Sequence, residues 1–115
     1  MDKRTQLKKY LLDISESISH IEEFTADVTS FFEYEEDLLV KRAVERELEI
    51  IGEAMRRILD LELGVEIQNS RKIVDLRNRV IHGYDKVDDA VIWGILKRHI
   101  PILKDDIESH LEEEE

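Results

Sequence analysis

At 115 residues with no cysteine, the chain is long enough for one domain with a real core and excludes both a disulfide framework and a thiolate metal site. Hydrophobic residues make up 42% and charged ones 39%, with four Gly and one Pro, a composition that favours helices over turns and strands. A net charge of −11 argues against nonspecific nucleic-acid binding.

That charge is unevenly spread. Residues 1–70 hold nine basic and 17 acidic groups, and residues 99–115 hold one and seven. Residues 71–98 hold seven basic and four acidic groups, the only net-positive segment. The basic start MDKRTQLKKYLLDI lacks the apolar run of a secretion signal. No stretch reaches the roughly 20 apolar residues that span a bilayer. A cytoplasmic protein with no membrane association is the expectation, as a single domain over residues 1–115.

Leu7, Leu11, Ile14, Ile18, Ile21, Val28 and Phe32 recur at steps of three and four, broken at Thr25, which predicts one helix from about residue 3 to about 32. A second is predicted from about Glu36 to Asp60, with Val40, Val44, Leu48, Ile51, Met55 and Ile58 on its buried stripe. Gly52 inside it costs ~1 kcal/mol against alanine, which close approach of a neighbouring helix would offset. Gly64 is read as the stop, followed by a short linker over 61–69. Ser70 is read as the cap of a third helix with Ile73, Leu76 and Val80 as its stripe, ended by Gly83. Asp85 or Asp88 caps a fourth that carries Val91, Ile92, Ile95 and Leu96. Pro101 kinks it or restarts it as a fifth, with Leu103, Ile107 and Leu111. The terminal residues 112–115 read as a frayed acidic tail. The fold expected is all-α: an antiparallel bundle of four to five helices, the last kinked at Pro101.

Little of this looks like chemistry. A di-iron site in a bundle needs Glu-x-x-His pairs, but the residues three before the four histidines are Ser17, Arg79, Leu96 and Ile107. Glu45, Glu49 and Glu53 then read as an exposed face beside Arg42, Arg46 and Arg57. No zinc spacing and no glycine-rich phosphate loop is present, so neither a metal nor a cofactor is expected. The stretch LRNRVIHGYD, Leu76 to Asp85, remains. Asn78 and His82 stand four apart on one helical face, whereas Arg77 and His82, five apart, are separated by roughly 140° around the helix. Arg77 and His82 converge only if the helix ends at His82 or a second copy faces the first. The plainer reading makes Arg77 and Arg79 surface charges near a helix C-terminus and His82 a residue of its cap.

The run LRNRVIHGY, with AVERELEIIGEAMRRI on the preceding helix, resembles the HepT-like branch of the HEPN (higher eukaryotes and prokaryotes nucleotide-binding) superfamily over nearly the whole chain. The branch's Arg-x4-His-x-Tyr pattern falls on Arg77, His82 and Tyr84, with Asn78 as the polar residue after the arginine. The resemblance implies a homodimeric toxin of a type II toxin–antitoxin pair that cleaves RNA without metal. It implies as partner a minimal nucleotidyltransferase antitoxin from the adjacent gene, which silences the toxin by adenylylating Tyr84. In such an enzyme Arg77 and His82 are catalytic, with Asn78 and Arg79 supporting. The alternative from another class is a non-catalytic subunit that presents a nucleotide or substrate to a nucleotidyltransferase.

Overall fold

The computed structural model describes residues 1–82 and 88–114, with the side chains of residues 79–82 outside the description. Its elements are α1 (Lys3–Phe24), α2 (Phe31–Glu36), α3 (Leu38–Asp60), α4 (Ser70–His82), α5 (Asp89–Gly94), a π-helical turn (Ile95–His99) and α6 (Ile100–Glu113). No strand occurs among the described residues, and the all-α bundle follows as expected. None of the described helices is long and apolar enough to cross a membrane.

The core forms along the predicted stripes. Leu7, Leu11, Ile14, Ile18 and Ile21 of α1 face Val44, Leu48, Ile51, Met55 and Ile58 of α3, and all ten are buried. Each such side chain contributes about 1.5–3 kcal/mol on leaving water. Ile73 and Leu76 of α4 extend this core on the far side of α3, and Ile100, Leu103 and Ile107 of α6 extend it beyond α1. Thus α3 lies between α1 and α4, and the motif-bearing helix is seated on α3.

The first helix is shorter than its periodicity predicts. It stops at Phe24, where the Thr25 hydroxyl donates to the Ile21 carbonyl at 2.8 Å and competes with continuation. Ser30 then caps a separate α2, its hydroxyl accepting from the Glu33 N–H at 3.2 Å while Glu33 reaches back to the Thr29 N–H at 2.9 Å. Rotation of this short helix leaves Phe32 68% exposed and buries Tyr34 completely, its ring 5.5 Å from that of Trp93 on α5. Burial raises the Tyr34 phenol well above its ordinary value.

Two other boundaries differ in detail. Gly64, read as the stop, is left-handed at φ 73°, but α3 ends earlier, at Asp60, and Glu62 at φ 53° is the left-handed residue next to its end. Asn69, not Ser70, supplies the first carbonyl of α4, accepting from the Ile73 N–H at 3.0 Å. The linker between them is tied to α6 by Gln68 N–H to Asp106 at 3.0 Å and by His110 to the Glu66 carbonyl at 3.0 Å. Asp88 caps α5 through the Ala90 N–H at 2.8 Å, while Asp85 lies outside the described residues. Pro101 does not break the last helix. The turn before it widens to π geometry, with the Ile100 N–H bonded to the Ile95 carbonyl, which takes up the missing proline donor without a stop. The tail expected from residue 112 is helical to Glu113, and Glu114 pairs with Arg4 at 2.7 Å.

One polar pair lies inside the α1–α3 seam. Nδ1 of His20 donates to Oε1 of Glu47 at 3.0 Å, and Glu47 is buried. The Glu47 carboxylate raises the His20 pKa above its ordinary value. A raised folded pKa adds stability that is complete below the unfolded value of about 6.5 and lost as pH rises through the folded value. Exchanging His20→Gln is therefore expected to lower the melting temperature more at about pH 5.5 than at about pH 8. An equal loss at both values, measured by thermal melts, would contradict the pairing.

Candidate functional site

Arg77 emerges from the middle of α4 where that helix crosses α3 at its glycine. A Cβ built on Gly52 would overlap the Cβ of Arg77 and stand 2.6 Å from its Cγ and 3.3 Å from the Ile73 carbonyl oxygen. The atoms struck are the base of the arginine and the α4 backbone, which cannot swing aside. Gly52 is thus the close-approach glycine its sequence position predicts, and the neighbour it admits is the motif arginine. Changing Gly52→Ala should gain ~1 kcal/mol of helix propensity yet lose more to overpacking, about 1–3 kcal/mol. A melt of Gly52→Ala at or above the native temperature would show that the helices can part freely.

The plainer reading of Arg77 as a surface charge does not hold. Its side chain is only 17% exposed, and its guanidinium is held from two sides. Nη1 donates to Oδ1 of the adjacent Asn78 at 2.9 Å. Nη2 stands 2.7 Å from Oε2 of Glu53 on α3, an ion pair close in distance but off-axis as a hydrogen bond. Nε is buried with no partner. Oε1 of Glu53 also accepts from Nε of Arg57 at 3.0 Å, so one carboxylate bridges two guanidiniums.

Glu53 is therefore not part of a merely solvated row. Glu45 and Glu49 pair on the same helix with Arg42 at 2.9 Å and Arg46 at 3.2 Å, as expected, but are half-buried where an exposed face was expected. The signal that separates Glu53 from them was its neighbour: a residue beside a close-approach glycine flanks the seam between helices. Arg77 opens into a cleft of about 570 Å³ between α1 and α3, bordered by Lys9, Tyr10, Asp13, Arg46, Glu49, Glu53 and Arg57. Counting Arg77, its walls carry four basic and three acidic side chains among the described residues, net positive on an acidic chain. Among the described residues, no three His, Asp or Glu side chains gather as a metal-binding group.

Asn78, which shares a helical face with His82, accepts from Arg77 at its amide oxygen. The α4 helix reaches His82, as the motif requires. The side chains of Arg79, Val80 and His82, and all of Gly83 and Tyr84, lie outside the described residues. The structure thus unites Arg77, Asn78 and Glu53, and adds the exposed Arg57 as a further partner of Glu53.

Comparison with known proteins points the same way. The model of a family described as Ribonuclease HepT-like matches residues 14–110. A Methanocaldococcus jannaschii protein named "Putative RNase MJ1380" is 37% identical over 110 residues, covering 94% of this chain and 98% of its own. A Thermococcus cleftensis protein named "Probable ribonuclease HepT" is 42% identical over 99 residues, covering 84% of this chain and 88% of its own. No solved structure gives a significant match.

Proposed function

The chain belongs to the ribonuclease HepT-like family, and from that premise we propose that it is a metal-independent endoribonuclease, the toxin of a toxin–antitoxin pair, using Arg77 and His82. The observation that carries this reading is the Arg77 guanidinium, anchored on α4 and α3 beside an open, net-positive cleft. A fork of donors fixed in place suits the equatorial oxygens of a pentavalent phosphate better than a mobile surface charge does.

The chemistry needs no metal. An imidazole of His82 takes the proton of the 2′-hydroxyl, and the freed oxygen attacks the adjacent phosphorus. The bond from phosphorus to the 5′-oxygen breaks as a second His82, protonated as imidazolium, gives its proton to that oxygen. The products are a 2′,3′-cyclic phosphate and a 5′-hydroxyl end. The second imidazole comes from His82 of another copy in a two-fold dimer, which also resolves the roughly 140° between Arg77 and His82 within one helix. Asn78 holds Arg77, while Arg79 and Tyr84 contact the RNA backbone and a base, the tyrosine by stacking.

The test is cleavage of an RNA oligonucleotide by the purified protein in EDTA, alongside DNA of the same sequence. The reading requires a dimer by light scattering at micromolar concentration, RNA ends bearing 2′,3′-cyclic phosphate, and intact DNA. Cutting that stops in EDTA, or DNA cut as readily as RNA, would overturn it.

A further inference from the structure

We propose that Glu53 is the positioning residue of this site: a carboxylate bracket that fixes the Arg77 guanidinium for the transition state and shares itself with Arg57. The proposal rests on the ribonuclease reading for its effect on rate, but the bracket itself stands on geometry in the free protein.

Three constraints meet on one side chain. The base of Arg77 is pressed on Gly52, Nη1 is bonded to Asn78, and Nη2 meets Oε2 of Glu53 at 2.7 Å. An arginine has several rotatable bonds, and a guanidinium loose by about 1 Å forfeits on the order of 10² in rate. Glu53 does this without cancelling the charge that phosphate needs, because Arg57 and Arg77 share its one carboxylate. The triad keeps a net positive charge. The second hydrogen on each Nη remains for an anion.

The variant Glu53→Gln keeps the shape but offers one carbonyl oxygen, which cannot hold both guanidiniums. Its kcat for RNA cleavage should fall about tenfold or more while KM does not rise, since losing a negative charge beside the cleft favours a polyanion. Glu53→Asp retains the charge but withdraws it by one methylene, and should lose kcat as well. Glu45→Gln makes the same charge change two turns earlier, outside the cleft walls, where the partner is Arg42, and should keep the native kcat. Native kcat in both Glu53 variants, or an equal loss in Glu45→Gln, would overturn the proposal. The Arg77 Nη–Hη resonances read the bracket without any cleavage, because it is Nη2 that meets Glu53. In the native protein the Nη2 resonance should be displaced and slow to exchange with water, and in Glu53→Gln it should move to the position of a free arginine. An unmoved resonance would sink the bracket even in an active enzyme. Absence of RNA cleavage by the native protein, with the resonance behaving as stated, would instead remove only the ribonuclease reading.

Discussion

Replacing His82→Ala or Arg77→Ala is expected to lower RNA cleavage by on the order of 10²- to 10⁴-fold, with the protein still folded. The two losses have different origins. Without His82 the 2′-hydroxyl has no base and the leaving oxygen no acid, so the pH dependence of cleavage should lose its bell shape as well as its height. Without Arg77 the proton transfers remain possible, but the phosphorane loses its fork of donors. Arg77→Lys separates charge from geometry: a single ammonium cannot serve Asn78, Glu53 and two phosphate oxygens together, and should recover little of the rate. Stability should respond differently at the two positions. The Arg77 stem fills the space over Gly52, and its removal leaves Glu53 with only the exposed Arg56 and Arg57, so a loss of about 1–2 kcal/mol is expected for Arg77→Ala. Single-turnover rates measured beside thermal melts would check both. A His82→Ala protein that cleaves at the native rate would remove the mechanism.

The parts of the fold that were legible in the sequence are those where burial alone decides. Every predicted stripe residue of α3 from Val44 to Ile58 is buried, because a helix between two neighbours must bury one continuous face. Where periodicity and capping competed, periodicity misled. Val28 and Phe32 keep the spacing of α1, yet Ser30 and Glu33 carry the signature of a helix start, and hydrogen bonding of the backbone ends decided the outcome. The apolar count of a short segment is a weak constraint when one tyrosine can fill the space meant for a phenylalanine.

At the site, spacing gave the angle between Arg77 and His82 but could not tell which way the arginine points. That depends on α3, twenty-five positions earlier at Gly52, and on how closely the two helices approach. Glu53 was misread for the same reason. Its register relative to Glu45 and Glu49 is regular, and only the tertiary crossing gives it a second cation from another helix.

Adenylylation of Tyr84 is expected to abolish cleavage to the extent that Tyr84 carries AMP, and Tyr84→Phe to yield a nuclease that cannot be silenced this way. In the proposed scheme the phenol oxygen attacks the α-phosphorus of ATP, its proton passes to a base of the nucleotidyltransferase, and pyrophosphate leaves. The acceptor follows His82 by two residues, at most ~7 Å of backbone, so the attached nucleotide falls within reach of the reacting phosphate. Each AMP brings a phosphodiester charge and an adenine ring to the space an RNA strand must enter. The arginines that would hold RNA phosphate, Arg77 and Arg79, are equally suited to the incoming triphosphate and then to the tethered phosphodiester. Inhibition would thus come from occupancy and charge, with no refolding. The decisive measurement is intact mass after incubation with the neighbouring nucleotidyltransferase, ATP and Mg²⁺, followed by an RNA cleavage assay on the same sample. The native protein should gain the mass of AMP and lose activity in proportion, while Tyr84→Phe should gain no mass and keep its rate. Labelling that persists in Tyr84→Phe would place the acceptor elsewhere, and full activity in the labelled native protein would refute occlusion as the means of silencing.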